Sequence, residues 1–178
     1  MYQEVLTFWF DEIEPEQWWK KDEDFDALLV ERFSDLYERA RQCELFEWRQ
    51  TASGRLAEII LLDQFPRNMF RGTPRAFASD AMALALSQEA IASGADQLLT
   101  AIQRTFLYMP FMHSESVEIH KVAVELYRKN GSKDNLDFEQ RHRAIIERFG
   151  RYPHRNEILG RPSTAEEIEF LNQPGSSF

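Results

Sequence analysis

The chain has 178 residues, of which 43% are hydrophobic and 13% aromatic, and its formal net charge is −9. This composition excludes a disordered chain, and no run approaches the roughly 18 apolar residues that a membrane span requires. The single cysteine, Cys43, excludes an internal disulfide and a multi-cysteine zinc site. We therefore expect one globular domain over residues 1–178. The lone cysteine and an acidic N-terminus unlike a signal peptide predict a cytoplasmic protein.

The first half of the chain shows helical patterns in close succession. Residues 5–10 predict the apolar part of a first core helix. Residues 25–42 place apolar side chains every three to four positions, and the acidic residues 22–24 precede them, where the helix dipole favours anions. Residues 54–65 continue with an apolar stripe that includes Asp63. We expect each of these segments to bury one face.

The second half of the chain continues in the same way. A helix is predicted to begin at Thr73, with Pro74 in its first position, and to stop at Gly94. Further helices are predicted for residues 96–109, ending at Pro110, and for residues 114–131, 136–150 and 163–173. The last of these begins with a capping box, Thr164 with Glu167. The pattern predicts an all-α protein of seven to eight helices in antiparallel pairs, arranged as a bundle or a short solenoid.

Charge is distributed unevenly along the chain. Residues 1–48 hold 14 acidic and five basic residues, whereas residues 141–161 hold six arginines and two glutamates. Nucleic-acid-binding domains are usually basic over a broad face, so we expect no nucleic-acid partner. A local arginine cluster favours a small anionic ligand instead. The acidic N-terminal third is either a partner surface or a solvated face, and the oligomeric state stays open.

Two proline-containing basic segments resemble each other. Residues 63–75 read DQFPRNMFRGTPR and residues 149–161 read FGRYPHRNEILGR, so each has an aromatic, a proline, Arg-Asn and a later glycine. Either a duplication or chance explains the similarity. Because proline removes a backbone donor, we expect Pro66 to break its helical pattern. We expect both segments to face one polar pocket.

Polar residues in the first segment have two interpretations. Asp63 either pairs with Arg67 one turn later or acts as a base whose pKa burial raises. Arg67 and Asn68 either satisfy backbone groups freed by Pro66 or contact a ligand. Arg67 and Arg71 are spaced to point the same way, which suits paired contacts with phosphate or carboxylate.

The histidines are the candidate acid–base groups. His113 precedes Ser114 and Glu115 near a helix start, so a His113–Glu115 pair is one candidate for a general base, and a simple helix cap is the alternative. His142 lies on an apolar helix face with Phe138 and Ile145 and is typical of a core histidine. His154, in a turn, is the stronger functional candidate. His120 is predicted to face solvent.

Known catalytic and cofactor motifs are absent from the sequence. It has no His-Glu-x-x-His, no glycine-rich phosphate loop and no Gly-x-Ser-x-Gly. A metal site built from Asp63, Asp80, His113 and His142 is the weaker alternative to no metal site at all. We expect no cofactor.

The longest motifs resemble a known family. FWF near the start, ILLDQFPRNMFRGTPRAFASD, FLYMPFMHSES, ERFGRYPHRNEILGRPST and FLNQPG are similar, in order, to the bacterial family called domain of unknown function 924. The resemblance implies a tetratricopeptide-like helical fold but no reaction. Its signature positions are Asp63, Gln64, Pro66, Arg67, Asn68, Arg71, Asp80, His113, Ser114, Glu115, His142, Arg148, Arg151, Pro153, His154, Arg155, Asn156 and Arg161.

Three functional hypotheses follow. The first is a binding module for a small phosphate- or carboxylate-bearing ligand, whose contacts would come from Arg67, Asn68, Arg71, His142, Arg148, Arg151, Arg155, Asn156 and Arg161. The second is an enzyme acting on such a molecule, with His113 or His154 as acid–base group and Glu115 or Asp63 orienting it. The third is a tetratricopeptide-like scaffold for protein partners, in which the polar residues form internal ion pairs.

Overall fold

Residues 1–177 are described by a computed structural model, and they form eight α-helices and no β-strand. The helices are α1 (Tyr2–Thr7), α2 (Glu23–Arg41), α3 (Ala52–Met69), α4 (Asp80–Ala92), α5 (Ala101–Met112), α6 (Val117–Asn130), α7 (Lys133–Phe149) and α8 (Ala165–Leu171). Short 3-10 turns and one π-helical turn, Phe8–Glu12, lie between them. The predicted all-α class is confirmed, while the tetratricopeptide-like arrangement stays a prediction. Within the described chain no helix is both long and apolar enough to cross a bilayer.

Contacts between residues divide the chain into two compact units. The first comprises residues 1–71 and 75–110, and the second comprises residues 72–74 and the chain from Phe111 onward. One boundary therefore falls inside α5, after Pro110, and the other two lie on either side of residues 72–74. The expectation of a single domain over residues 1–178 stays a prediction.

Helix α3 is the centre of the first unit. Every residue from Leu56 to Pro66 is buried, and α3 packs against α1, α2 and α4. A helix that is covered on all sides needs apolar residues around its whole circumference, which the run LAEIILL supplies. Its polar members are therefore the informative ones, and they are paired as described below.

The prediction that proline ends these helical segments is wrong. Helix α3 passes through Pro66 to Met69, and α5 passes through Pro110 to Met112. Proline removes one N–H from the helical ladder, but the remaining bonds and the burial of the last turn of α3 hold it together. The Arg67 side chain adds a hydrogen bond of 2.6 Å from Nη1 to the carbonyl oxygen of Asp63.

The helix ends follow the sequence signals closely, with one exception. Gly94 and Gly131 adopt the left-handed conformation just beyond α4 and α6, as the predicted stops require. The capping box of Thr164 and Glu167 is present at the start of α8. The predicted start at Thr73 is wrong, because residues 74–77 form a 3-10 turn and α4 begins only at Asp80.

The second unit is built on the packing of α6 against α7. Ile145, Ile146 and Tyr152 form its buried apolar cluster, with Phe149 and Phe170 packed at the margin. Phe138, which the helical stripe placed on the inner face of α7, is 52% exposed and lies 5.6 Å from the Arg141 guanidinium. The stripe therefore faces the core only from His142 onward.

Candidate functional site

The basic segment at the end of α3 forms ion pairs inside the first unit. Arg67 donates from Nη1 and Nη2 to the two carboxylate oxygens of Asp80, each at 2.9 Å. Arg67 Nη1 also lies 3.4 Å from Oδ1 of Asp63, which is fully buried and accepts a 2.5 Å hydrogen bond from the Gln64 amide. These are the contacts expected if Asp63 orients an arginine.

Arg71 is likewise paired within this unit. It donates from Nε and Nη2 to Asp26 at 2.7 and 2.8 Å, and Nη2 also reaches Oδ1 of Asn68 at 2.7 Å. The Asp26 hydrogen bonds raise the pKa of Arg71 against the opposing effect of burial. Arg75, the third arginine of the segment, pairs with Glu38 at 2.6 Å, so all three have carboxylate partners of their own unit.

The second basic segment folds around Glu115. Its two oxygens accept hydrogen bonds from Arg161 Nη1 and Nη2 at 2.7 and 2.9 Å, and Oε1 accepts another from the Tyr152 backbone N–H at 2.8 Å. Burial disfavours the charged carboxylate, but these hydrogen bonds outweigh it and lower the pKa of Glu115. Arg161 Nε donates to Asn156, whose amide in turn donates to Ser163 at 3.1 Å. The Arg-Asn pattern thus serves to close the turn.

Arg151 ties the same turn to α8. Its Nε and Nη2 donate to Glu167 at 2.7 and 2.8 Å, and Nη2 also donates to the Pro162 carbonyl at 2.9 Å. The Arg151 hydrogen bond lowers the pKa of Glu167 to about 2, against a smaller opposing effect of burial. Arg148 forms a more exposed pair with Glu166 at 2.8 Å. Of the predicted ligand-binding arginines, five therefore contact carboxylates: Arg67, Arg71, Arg148, Arg151 and Arg161.

Tyr152 is the centre of the remaining polar side chains. The ring centroids of His120, His142 and His154 lie 6.3, 5.9 and 5.6 Å from that of Tyr152, which is fully buried. The Arg155 guanidinium lies 4.7 Å from the same centroid. Three of the four histidines of the chain thus surround one tyrosine.

His142 is the buried, uncharged member of this group. Its Nδ1 lies 2.8 Å from the Phe138 carbonyl oxygen, which can only accept, so Nδ1 bears the proton and Nε2 bears the lone pair. Burial lowers the pKa of His142 to about 3, and electrostatic interactions with His113, His120 and His154 act in the same direction. The expectation that His142 is a core histidine agrees with its 6% exposure.

His113 and His154 lie at the margin of the cluster. Both are half-buried, and the Arg155 Nη2 donates to the His113 carbonyl oxygen at 3.1 Å. His113 and His154 also act electrostatically on His142, which places all four histidines in one neighbourhood. The half-buried imidazoles are therefore the members of the cluster that reach the surface.

The prediction for His120 is wrong. It is fully buried rather than solvent-facing, and its Nδ1 lies 2.7 Å from Oε1 of Glu139, which is also fully buried. Its Nε2 lies 2.8 Å from the Ser114 carbonyl oxygen and 3.2 Å from the Tyr152 hydroxyl. The sequence signal that was available is the spacing of His120, Val124 and Tyr127 on the buried face of α6.

The predicted site residues therefore fall into two groups. Asp63, Arg67, Asn68 and Arg71 lie in the first unit, and the others lie in the second. That the two basic segments face one pocket stays a prediction. In the second unit Glu115 contacts Arg161 and the Tyr152 amide, and the His/Glu pair that sequence reasoning missed is His120–Glu139. Over residues 1–177, no three His, Cys, Asp or Glu side chains are grouped so that they could hold a metal ion.

The arrangement around Tyr152 has two chemical capacities. The guanidinium and imidazole N–H groups can donate to an anion, and neighbouring imidazoles can accept or release protons. The Arg155 guanidinium is the permanent positive charge beside Tyr152, and it favours a negatively charged ligand.

Comparison with known proteins agrees with this fold and gives no reaction. A solved structure of a protein of unknown function from Agrobacterium tumefaciens is 40% identical to the chain, covers 96% of each chain and has a TM-score of 0.91. No curated protein matches the sequence significantly. The family model for bacterial proteins of unknown function called DUF924 matches residues 5–175. Since that match spans nearly the whole chain, the protein belongs to the DUF924 family.

Proposed function

We propose that the second unit binds a small molecule bearing a phosphate or carboxylate group at the margin of the Tyr152 cluster. The cluster consists of Tyr152, the four histidines and Arg155. The observation that supports the proposal is the concentration of cationic and proton-donating side chains around one buried tyrosine. A guanidinium group with N–H donors beside it attracts small anions even where the protein as a whole is acidic.

His113, His154 and Arg155 are the proposed anion contacts. The two imidazoles are half-buried, so a small solute can reach them, and Arg155 lies between the His113 backbone and the Tyr152 ring. A guanidinium group and imidazole N–H groups recognise phosphate and carboxylate oxygens through short, charge-assisted hydrogen bonds. The proposed contacts are fewer than those expected from the sequence, which included arginines of both basic segments.

The carboxylate-paired arginines have a different role in this proposal. Arg151 and Arg161 bind Glu167 and Glu115, so they hold the turn that presents His154 and Arg155. Removing such an arginine would disturb the turn as well as any ligand. The histidines are therefore the better positions at which to test binding.

A thermal-shift titration with inorganic phosphate and citrate tests the proposal. Binding to the native state raises the unfolding midpoint by mass action, so we expect a concentration-dependent rise for the wild type. His113→Ala and His154→Ala should reduce this rise severalfold. Sodium chloride at matched ionic strength separates specific binding from screening.

Arg148→Ala is the matched control. Arg148 is an arginine of the same unit, but it forms an exposed pair with Glu166. We expect this variant to respond to phosphate and citrate as the wild type does. If neither anion raises the wild-type midpoint beyond the salt control, or if both histidine variants respond unchanged, the anion-binding proposal is wrong.

A scaffold for protein partners is the second candidate. It is favoured by the internal pairing of Arg67, Arg71, Arg151 and Arg161, because ion pairs of this kind stabilise a turn without any ligand. A negative anion screen would favour this candidate. Acid–base catalysis on the bound anion is a further possibility to be tested only with a ligand in hand, since it requires the same histidines.

A further inference from the structure

The buried His120–Glu139 pair lies behind the proposed anion contacts. His120 is on α6 and Glu139 is on α7, both are 0% exposed, and their Nδ1 and Oε1 atoms are 2.7 Å apart. A histidine and a glutamate that are both buried in this way form one of two pairs. Either both groups are neutral and joined by a hydrogen bond, or they are a carboxylate and an imidazolium in a buried ion pair. The surrounding hydrogen bonds distinguish the two.

The contacts of Nε2 fix one proton on His120. The Ser114 carbonyl oxygen, 2.8 Å away, has no proton to donate, so Nε2 must be the donor. The Tyr152 hydroxyl donates to the Met112 carbonyl oxygen at 2.5 Å, which leaves its oxygen as a second acceptor for His120 Nε2–H at 3.2 Å. His120 therefore has a proton on Nε2 in either charge state.

The contacts of Glu139 favour the neutral state. The 2.7 Å distance between Nδ1 and Oε1 requires one proton, which lies on one atom or the other. The second oxygen, Oε2, is buried and has no hydrogen-bond partner among residues 1–177. A carboxylate would place part of a full negative charge on that oxygen without hydrogen bonds, whereas a neutral acid leaves only a carbonyl-like oxygen there.

The other charged and titratable groups near the pair do not outweigh the effect of burial on Glu139. Arg143 is the cation that acts on Glu139, and its guanidinium is paired with Glu147 at 2.7 Å. His142 is uncharged, and Tyr152 is a neutral donor. Burial raises the pKa of Glu139 more strongly than His120 and Arg143 lower it.

We infer that Glu139 is a neutral carboxylic acid that donates to His120 Nδ1, and that this pair positions the 112–116 segment and Tyr152. His120 Nε2–H then forms hydrogen bonds with two parts of the chain, the Ser114 carbonyl oxygen and the Tyr152 hydroxyl oxygen. These parts include His113 and adjoin His154, so the pair is a positioning device for the proposed anion contacts. Only that last step rests on the proposed function.

Nitrogen-15 NMR of the imidazole rings in the ligand-free 178-residue chain tests the protonation state of the pair. At pH 7 we expect His120 as the neutral Nε2–H tautomer, with a long-range correlation pattern unlike that of a doubly protonated ring. A doubly protonated His120 at pH 7 would show an ion pair instead and would overturn the inference.

Variants at Glu139 test the positioning role. Glu139→Gln supplies an amide N–H that can donate to Nδ1, so we expect the His120 tautomer and the Tyr152 and Ser114 amide signals to stay close to those of the wild type. Glu139→Leu removes the donor, and we expect those signals to shift and the unfolding midpoint to fall by several degrees. Glu147→Leu, on the exposed side of α7, is the control for replacing a glutamate by leucine in this helix.

These readouts separate the inference from the proposed function. If the Gln variant disturbs Tyr152 and Ser114 as much as the Leu variant does, the neutral-donor assignment is wrong. If the Leu variant leaves both signals unchanged, the positioning role is wrong. None of these measurements requires an anion to bind, so a negative phosphate and citrate screen rejects the proposed function alone.

Discussion

At the scale of single residues, His142 illustrates how burial changes acid–base behaviour. The imidazole is neutral in the native state because desolvation makes the charged form unfavourable, and electrostatic interactions with the other histidines add to that effect. In the unfolded chain the same side chain takes up a proton near its ordinary pKa of 6.5. Protons bound only by the unfolded state make stability depend on pH.

Acidification should therefore destabilise the protein through His142. Between about pH 6.5 and 3 the unfolded state binds one more proton than the native state at this position, so stability falls as pH falls. The expected contribution at pH 5 is roughly 2 kcal/mol. Urea unfolding at pH 8 and pH 5 should show that His142→Asn, whose amide can replace Nδ1–H, loses less stability on acidification than the wild type.

The comparison is made within each protein, so any constant cost of the substitution cancels. At pH 8 histidine is neutral in both states and the variant should differ from the wild type only by that constant. Equal pH dependence of the two proteins would contradict the assignment of His142 as a buried neutral base.

Residue patterns allowed only part of the candidate site to be predicted. Asp63 stands out because it follows the apolar run of residues 59–62, where a charged side chain needs a partner. His120 and Glu139 do not, because each sits in a helix that is charged on its other face, as SVEIHKVAVELYRKN shows for α6. Which polar residue of such a helix turns inward depends on the packing partner, and a single sequence does not contain that information.

At the scale of elements, the entry of α3 into the core depends on a close backbone approach. A Cβ atom built on Gly54 would lie 2.1 Å from the Trp48 carbonyl oxygen, which is a backbone atom and cannot rotate away. The Thr51 hydroxyl caps the same turn by accepting from the Gly54 N–H at 3.0 Å. Glycine is thus required at this position because any Cβ atom would clash with the Trp48 backbone, and not because of an unusual φ.

Gly54→Ala should destabilise the protein even though alanine is the better helix former. We expect a loss of roughly 1–3 kcal/mol, as for an overpacked site, measured as a lower midpoint in urea. Ser53→Ala, one position earlier in the same turn, is the control and should change stability little. A Gly54→Ala variant at least as stable as the wild type would show that the Trp48 segment yields easily.

The start of α8 combines a helix cap with an ion pair. Glu167 accepts from the Thr164 backbone N–H at 2.7 Å and from Arg151, so its charge supports both the cap and the turn around Tyr152. Because the pKa of Glu167 is lowered to about 2, its stabilising effect is present above its ordinary value of 4.5 and is lost as pH falls towards 2.

Glu167→Gln should lower the unfolding midpoint at pH 7 and have a smaller effect at pH 3. Glutamine keeps the capping geometry, so the difference measures the loss of charge opposite Arg151. Glu166→Gln removes the neighbouring, more exposed charge and should change stability by less than about 1 kcal/mol. Equal effects of the two substitutions at pH 7 would show that burial gives the Glu167 pair no special role.

Helix positions were easier to predict than helix ends near proline. The 3.6-residue pattern indicated the helices, and glycine in the left-handed conformation ended α4, α6 and α7. The pattern was misread at Pro66 and Pro110, where tertiary packing outweighs the loss of one backbone donor. It was also misread at Thr73 and Pro74, whose helix-start signals belong to a 3-10 turn.

At the scale of the whole molecule, the question is whether the two units unfold together. One boundary between them lies inside a continuous helix, α5, and the chain has no composition shift or flexible linker there. We propose that residues 1–178 are one cooperative domain, as their length suggests.

Differential scanning calorimetry should accordingly show one transition. For a cooperative domain the calorimetric enthalpy equals the van't Hoff enthalpy, and fluorescence and circular dichroism give the same midpoint. The four tryptophans of the chain all lie in the first 48 residues, so fluorescence reports the first unit while circular dichroism reports all helices. Two resolved transitions, or different midpoints from the two probes, would establish two domains.

The buried polar side chains of α3 determine the rotation of this helix about its own axis. Because α3 is apolar around its circumference, several rotations would bury similar areas against α1, α2 and α4. Only one of them places Glu58 against Arg49, at 2.7 and 2.6 Å, and Arg67 against Asp80 of α4, at 2.9 Å. Each alternative rotation would leave a buried charged side chain without its partner, which lowers the free energy of unfolding by about 3–5 kcal/mol. These carboxylates therefore select one rotation of α3 among several that bury similar apolar areas. If apolar residues replaced them, α3 should pack against its neighbouring helices in more than one rotation.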